Sequence, residues 1–504
     1  MLATVQSATL LGIEGRAVTV EVHVSQGLPG FTVVGLPDTS CREARDRVRA
    51  ALLSSGAAWP QRRITVNLAP SGLRKVGTGL DLAVAVGVLV ASEVIPPGAV
   101  EGVGFLGELG LDGSIRPVPG TVSLVDALAS DSVVVPAATV DEARLVDGHQ
   151  VRAVTHLSEV IAALTGEDPW PDPPPPSASC EHPHLPDLAD VVGQPLARRA
   201  LEVAVAGGHH LLMVGPPGSG KTMLATRVVG LLPSLERSTA LEATRIHSAA
   251  GERLPAGGLV AHPPFRAPHH TATVVGMVGG GTSWLRPGEI SLAHSGILFL
   301  DELGEFAMPV LDALRQPLEE GVIRVTRAHA AVTFPARFLL VAAMNPCPCG
   351  GSGGPASCRC SDAGRARYGR RVSGPILDRF DLRIEVLRPP SSELLERGHG
   401  ESTDEVRARV VAARERAAQR GVASNAQLCP PLLDDVARLE GDARRVVTRA
   451  LDRGMLTARG LQRVRCVART IADLRGASGI DASDVREALT LRVTPACLAL
   501  GAVA

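Results

Sequence analysis

Aromatic residues make up only 2% of this chain, with eight phenylalanines, three tryptophans and a single tyrosine. Base stacking needs aromatic platforms, so that mode of nucleic-acid binding is weakened from the outset. Neither sign of charge is in excess: 51 Lys and Arg stand against 52 Asp and Glu. No global basic field announces a polyanionic partner, and any DNA or RNA contact must come from local patches or from loops pooled in an oligomer. Long apolar runs are also missing. Stretches such as Leu82 to Ala91 are too short to span a bilayer, and Met1-Leu-Ala-Thr-Val lacks the basic n-region of a signal peptide. These absences predict a soluble, cytoplasmic protein with no membrane partner. Cysteines number nine, and four of them crowd into one stretch, a pattern that suits metal ligation better than a disulfide framework.

What the chain does contain is the run Gly215-Pro216-Pro217-Gly218-Ser219-Gly220-Lys221-Thr222, preceded by the apolar Leu211-Leu-Met-Val214. A buried strand, a glycine-rich turn and a helix start in that order cradle phosphate, because backbone N–H groups point inward and the helix dipole favours negative charge. All eight positions are expected to bind nucleotide, with Lys221 on the β/γ-phosphates of ATP and Thr222 on Mg²⁺. Ser295-Gly-Ile-Leu-Phe-Leu-Asp301-Glu302 is too short for a helix and reads as a buried strand ending in two carboxylates. Asp301 is expected to hold Mg²⁺, and Glu302 to orient and deprotonate the attacking water. Arg337-Phe-Leu-Leu-Val-Ala-Ala-Met-Asn345 is a further strand, whose terminal amide suits a sensor of the γ-phosphate. Gly374-Pro-Ile-Leu-Asp-Arg379 supplies an arginine that could complete a neighbouring subunit's site as a catalytic finger, or pair with Asp378 or Asp381 in its own chain.

At 504 residues the chain should hold about three folded units. In the first, 1–165, Ala17 to Val24 and Arg63 to Asn67 alternate as half-buried strands. Asp38-Thr-Ser opens a helix that stops at Gly56, and Leu80 to Val90 is a buried helix. Val103 to Arg116 reads as a hairpin turning at Asp112-Gly113. This segment resembles the Lon-protease-like domain, a relative of the ribosomal S5 fold. That resemblance places Lon's serine at Gly79, after Lys75-Val-Gly, and its lysine near Val122. With neither group present the domain cannot make an acyl intermediate, and an inactive binding or assembly module is expected. The proline-dense 166–186 is a semi-rigid linker.

From 391 to 504 the pattern is helical. Ser402-Thr-Asp-Glu405 is a capping box, Leu456 to Leu474 is a long amphipathic helix, and Asp481 caps a last one. Arg459, in the first turn of the long helix, is a candidate second sensor for nucleotide, with Arg463 one turn away as the alternative.

Several specific motifs, Phe265-Arg-Ala-Pro-His-His270, Pro287-Gly-Glu-Ile-Ser-Leu-Ala-His294, Asn345-Pro-Cys-Pro-Cys-Gly350 and Ala468-Arg-Thr-Ile-Ala-Asp-Leu474, make the whole chain resemble the ComM (YifB) family of magnesium-chelatase-like AAA+ ATPases. The resemblance implies a multidomain α/β protein: the Lon-like α+β domain, an AAA+ P-loop α/β core at 187–390 and a helical lid at 391–504. It also implies a homo-hexamer that couples ATP hydrolysis to DNA translocation or branch migration in recombination and transformation, acting on branched or single-stranded DNA. The alternative is an ATPase subunit driving metal insertion into a tetrapyrrole. The family places pore hairpins between about His262 and His294, which makes Arg266, His269, His270 and Gly276 to Gly281 candidates for facing DNA or a neighbouring subunit. Cys347, Cys349, Cys358 and Cys360 offer four thiolates to a structural zinc. Arg365-Ala-Arg-Tyr-Gly-Arg-Arg371 reads either as a phosphate-backbone patch or as a solvated face.

Overall fold

The computed structural model describes residues 1–177, 185–281, 284–327, 330–351, 358–390 and 400–492. The expected linker 166–186 therefore lies partly outside the described residues, as do 391–399 and 493–504 of the expected lid.

The N-terminal part carries β1 (Leu2–Leu11), β2 (Glu14–Ser25), β3 (Gly30–Val34), β4 (Arg63–Ala69), β5 (Val103–Phe105), β6 (Glu108–Leu109), β7 (Ile115–Arg116), β8 (Ser132–Pro136) and β9 (Gln150–Val154). Seven of these form one mixed sheet in the order β3-β4-β2-β1-β5-β8-β9. Val18, Val20, Val22 and Val24 of β2 are buried at alternate positions, as a period of two requires. The helix Thr39–Ser54 begins where the Asp38 carboxylate accepts from the Cys41 N–H, and Gly56 follows it at φ +81°. Helix Asp81–Ala91 is buried along its whole length, which fits a sequence that is apolar all round. The expected hairpin is smaller than its sequence pattern: only β6 and β7 pair across the Asp112-Gly113 turn. Val103–Phe105 instead enters the main sheet parallel to β1 and β8. Gly107 allows the separation, since it takes φ +157° where a Cβ would lie 2.8 Å from Ile115 Cγ2.

The second sheet contains β10 (Leu211–Val214), β11 (Phe265–Arg266), β14 (Ile297–Leu300), β17 (Leu339–Met344) and β18 (Leu382–Glu385), in the order β11-β14-β17-β10-β18. All neighbours are parallel, and β10, β14 and β17 are buried throughout, as parallel strands covered on both faces must be. Two hairpins stand outside it: β12 (Gly279–Gly280) with β13 (Arg286–Pro287), and β15 (Val322–Arg327) with β16 (Ala330–Pro335).

One hydrophobic cluster joins the sheet to the helices Pro195–Gly207, Lys221–Leu231, Thr403–Gln419, Ala458–Leu474 and Ala482–Thr490. The capping box at Ser402 and Glu405 is formed, Thr457 caps the long helix and Asp481 caps the last. The N-terminal sheet docks on this body at the β1–β2 turn, where Gly12 meets Val332 of β16 so closely that a Cβ would sit 2.2 Å from Cγ1. Beside that contact the Gly120 N–H donates to the Ser248 carbonyl at 2.9 Å, and Arg245 pairs with Asp126 at 3.0 Å.

Candidate nucleotide site

Because β14, β17 and β10 are adjacent and parallel, the residues that follow each strand emerge at one edge of the sheet. That edge is where open α/β sheets bind ligands. The phosphate loop follows β10, Asp301 and Glu302 follow β14, and Asn345 follows β17. The Lys221 ammonium donates to the carbonyls of Gly215 at 2.7 Å and Pro216 at 2.9 Å, and to Asn345 Oδ1 at 3.3 Å. Burial lowers the Lys221 pKa from the usual lysine range, and the Asp301 carboxylate opposes that shift. Thr222 donates to Asp301 Oδ2 at 2.8 Å. The loop can wrap an anion: Gly218 and Gly220 take φ +75° and +90°, with open space where a Cβ would point. The buried Ser219 hydroxyl has no hydrogen-bond partner among the described residues. A glycine-rich loop with one ammonium and an unpartnered hydroxyl, and the Thr222–Asp301 pair beside it, has the groups that ATP and Mg²⁺ require. Gly215 itself cannot be larger, since a Cβ would lie 2.1 Å from the Val386 carbonyl oxygen.

Glu302 sits in the left-handed region at φ +53°, an uncommon conformation for a non-glycine residue, and its N–H donates to Asp301 Oδ1 at 2.9 Å. Its carboxylate meets His270 Nδ1 at 3.2 Å. His270 comes to this place because β11 extends the parallel sheet beside β14, so the residues just after it turn toward Glu302. The histidine rings of His269 and His270 lie 4.0 Å apart. Arg266, named as a candidate beside it, has its guanidinium held by Glu289 at 2.7 and 2.8 Å and by Glu252 at 3.5 Å. The contact of His270 with Glu302 left no signal in the sequence, because the strand before it, β11, spans only Phe265–Arg266, too short for a periodic pattern.

Arg379 lies elsewhere, in a cleft of about 320 Å³ that it shares with Glu319, Asp381, Arg459 and Arg463. It pairs with Glu319, not with Asp378 or Asp381, the partners considered from sequence. Asp381 instead takes Arg463 and the His209 imidazole. Arg463 is committed to that pair and to the Arg379 carbonyl at 3.2 Å, whereas Arg459 is exposed. No residue of the phosphate loop lines this cleft.

The four cysteine sulfurs lie within 4.8 Å of one another, with Cys347 to Cys349 at 3.4 Å, Cys347 to Cys358 at 3.5 Å and Cys349 to Cys358 at 3.7 Å. A tetrahedral zinc with Zn–S of about 2.3 Å has S···S edges of about 3.8 Å, so the set fits that ion. The cluster adjoins the nucleotide site, since Gly350 approaches Pro217 so closely that a Cβ would be 2.6 Å from its ring. Two of the four arginines in the basic stretch after it have acidic partners. Arg365 pairs with Asp362, Arg371 with Glu305 at 2.8 Å, and Tyr368 is buried in the core, which removes it as a stacking platform.

A parallel β11-β14-β17-β10-β18 sheet with this edge defines a mixed α/β, P-loop protein of the AAA+ class. Comparison with known proteins narrows the class. Residues 187–394 match the family described as magnesium chelatase, subunit ChlI, residues 400–492 match its C-terminal region, and residues 20–139 match subunit ChlI of Mg-chelatase. YifB of Escherichia coli (strain K12), an uncharacterized protein, is 44% identical, with 97% of each chain covered. Competence protein ComM of Haemophilus influenzae is 42% identical, again with 97% of each chain covered. Lon protease 2 of Bacillus subtilis is 29% identical over 28% of this chain and 26% of its own. The chain belongs to the ComM/YifB family. No helix among the described residues is long and apolar enough to cross a membrane.

Proposed function

We propose that this protein is an ATP hydrolase that assembles as a ring, most simply a hexamer of identical chains, and uses ATP turnover to translocate or branch-migrate DNA in the cytoplasm. The observation that carries the reading is the division of labour: Lys221, Thr222, Asp301, Glu302 and Asn345 converge at one sheet edge, while Arg379 and Arg459 share a separate cleft. Mg²⁺, when bound, would supply charge neutralisation between the phosphates. Lys221 would leave its own loop carbonyls for the β/γ-phosphates. Thr222 and Asp301 would hold the metal, Glu302 would take a proton from the attacking water, and Asn345 would orient that water. Arg379, with Arg459 beside it, would reach the nucleotide of the next subunit. The domain plan is an inactive Lon-like module at 1–165, linker 166–186, AAA+ core 187–390 and helical lid 391–504. Gly79 and the fully buried Val122 offer no nucleophile or base at the Lon positions.

ATP turnover by the purified chain, measured with and without forked or four-way DNA, tests this. Turnover that no DNA structure stimulates, in a protein that binds none, removes the DNA role. The names of the matched families favour a second reading, an ATPase subunit that drives metal insertion into a tetrapyrrole. ATP turnover that responds to a tetrapyrrole and its metal, and not to DNA, would select it.

A further inference from the structure

The backbone around Arg379 is fixed from two sides. Arg463 donates to its carbonyl at 3.2 Å, and Arg492 donates to the next two carbonyls, of Phe380 and Asp381, at 2.7 and 2.9 Å. Its side chain is held differently. Among the described residues the guanidinium has one ion-pair partner, Glu319, and its buried Nε has no hydrogen bond. The Arg379 side chain is 10% exposed while that of Glu319 is 51% exposed, so the pair sits at the rim of the arginine cleft and water can replace the carboxylate. Burial, followed by the guanidinium groups of Arg459, Arg463 and Arg315, lowers the Arg379 pKa from the usual arginine range. A cleft with this much crowded positive charge favours any anion that enters it.

Glu319 is also mechanically placed. It lies in the helix Arg315–Glu320, which Gly321 ends in the left-handed region at φ +68°, and β15 starts at the next residue. Glu320 then pairs with Arg324 of β15, and the Ala336 N–H, at the end of β16, donates to the Gly321 carbonyl at 2.8 Å. The root of the β15–β16 hairpin is thus joined through Gly321 to the helix that carries the carboxylate on Arg379, a path by which a tilt of the hairpin would move Glu319.

We propose that Glu319 is a latch: a positioning residue that holds Arg379 within its own subunit until displacement of the β15–β16 hairpin withdraws it and frees the arginine for the neighbour's terminal phosphate. The latch rests on the reading of Arg379 as a residue acting between subunits. It makes hairpin position, and hence whatever the hairpin touches, a control on the hydrolysis rate.

The test uses the full chain, with Glu319→Gln and Glu319→Asp compared to wild type for ATP kcat and KM, with and without forked DNA. Glu319→Gln should raise kcat without DNA by roughly two- to fivefold, the factor expected for a partly exposed ion pair, and leave KM unchanged. It should shrink the stimulation by DNA by the same factor, and Glu319→Asp should restore wild-type behaviour. An unchanged or lower kcat in Glu319→Gln overturns the latch while leaving the ATPase reading intact. A wild type without turnover overturns both. A wild type that turns over but ignores DNA overturns the DNA role, and the kcat comparison without DNA still decides the latch.

Discussion

The phosphate cradle and the arginine cleft are both built on the ends of the same parallel sheet, yet they gather different chemical groups. The cradle pairs the Lys221 ammonium with the Asn345 amide and the Thr222 hydroxyl with the Asp301 carboxylate, whose other oxygen accepts from the Glu302 N–H, and no arginine is among those groups. The cleft has Arg379, Arg459 and Arg463 and no phosphate loop. The difference separates the arginines from the phosphate loop within one chain, and under the proposed function it makes the seam between two copies the working unit.

The sharpest way to break that comparison is to remove the cleft's contribution alone. Arg379→Ala should lower ATP turnover by about 10³-fold or more while ATP affinity, set by the cradle, changes little. Lys221→Ala should fail at the opposite end, losing ATP binding. Mixing the two inactive proteins should restore turnover, because a Lys221→Ala copy still offers its arginine to an intact cradle in an Arg379→Ala neighbour. Mixtures that stay inactive would mean that Arg379 acts within its own subunit.

Within the cradle, Glu302→Gln should keep ATP and Mg²⁺ binding and reduce turnover by about 10²- to 10⁴-fold, since the amide is isosteric but cannot accept a proton. Turnover near wild type would remove Glu302 as the base. A smaller effect belongs to His270, which touches Glu302 and not the phosphates. His270→Ala should leave ATP affinity intact and lower kcat by about tenfold through misplacement of the carboxylate, and the double variant with Glu302→Gln should be no slower than Glu302→Gln alone. Additive losses in the double variant would give His270 a separate role.

How much of this was legible in the sequence follows from how far apart the cooperating residues lie. The cradle was readable because Gly215 to Thr222 are consecutive, and a strand, a turn and a helix start leave a local pattern. Asp301, Glu302 and Asn345 were readable because each ends an apolar run whose length identifies a buried strand. The His270–Glu302 contact and Glu319 were not. The first is delivered by a strand too short for periodicity, and the second by an ion pair to a residue far along the chain, with no local consequence for either. The β15–β16 hairpin was also missed, because the family pattern drew attention to 262–294. That stretch supplies an edge strand of the sheet, the short hairpin β12–β13, and Arg266 paired with Glu289. The Val103 to Arg116 error has the same origin: a turn signal is local, whereas the partner of the strand before it is chosen by the sheet.

The smallest expected effect concerns the segment that joins the two half-sites. The chain leaves the cradle at Asn345, passes Cys347 and Cys349, returns through Cys358 and Cys360, and continues through the helix Asp362–Gly369 to Arg379. Gly350 leans on Pro217 of the phosphate loop, so a four-thiolate zinc here would pin the path from one half-site to the other. Purified protein should carry about one zinc per chain, and Cys358→Ser should carry none, since three thiolates at a partly exposed site bind far more weakly than four. Because neither Lys221 nor Arg379 touches a cysteine, turnover should fall by less than about tenfold, the scale of a positional disturbance and not of lost chemistry. A folded, fully active wild type without zinc would show that the cradle and the cleft keep their separation without this tie. A Cys358→Ser protein as slow as Arg379→Ala would show the reverse, that the loop sets the arginine's position as firmly as the sheet does.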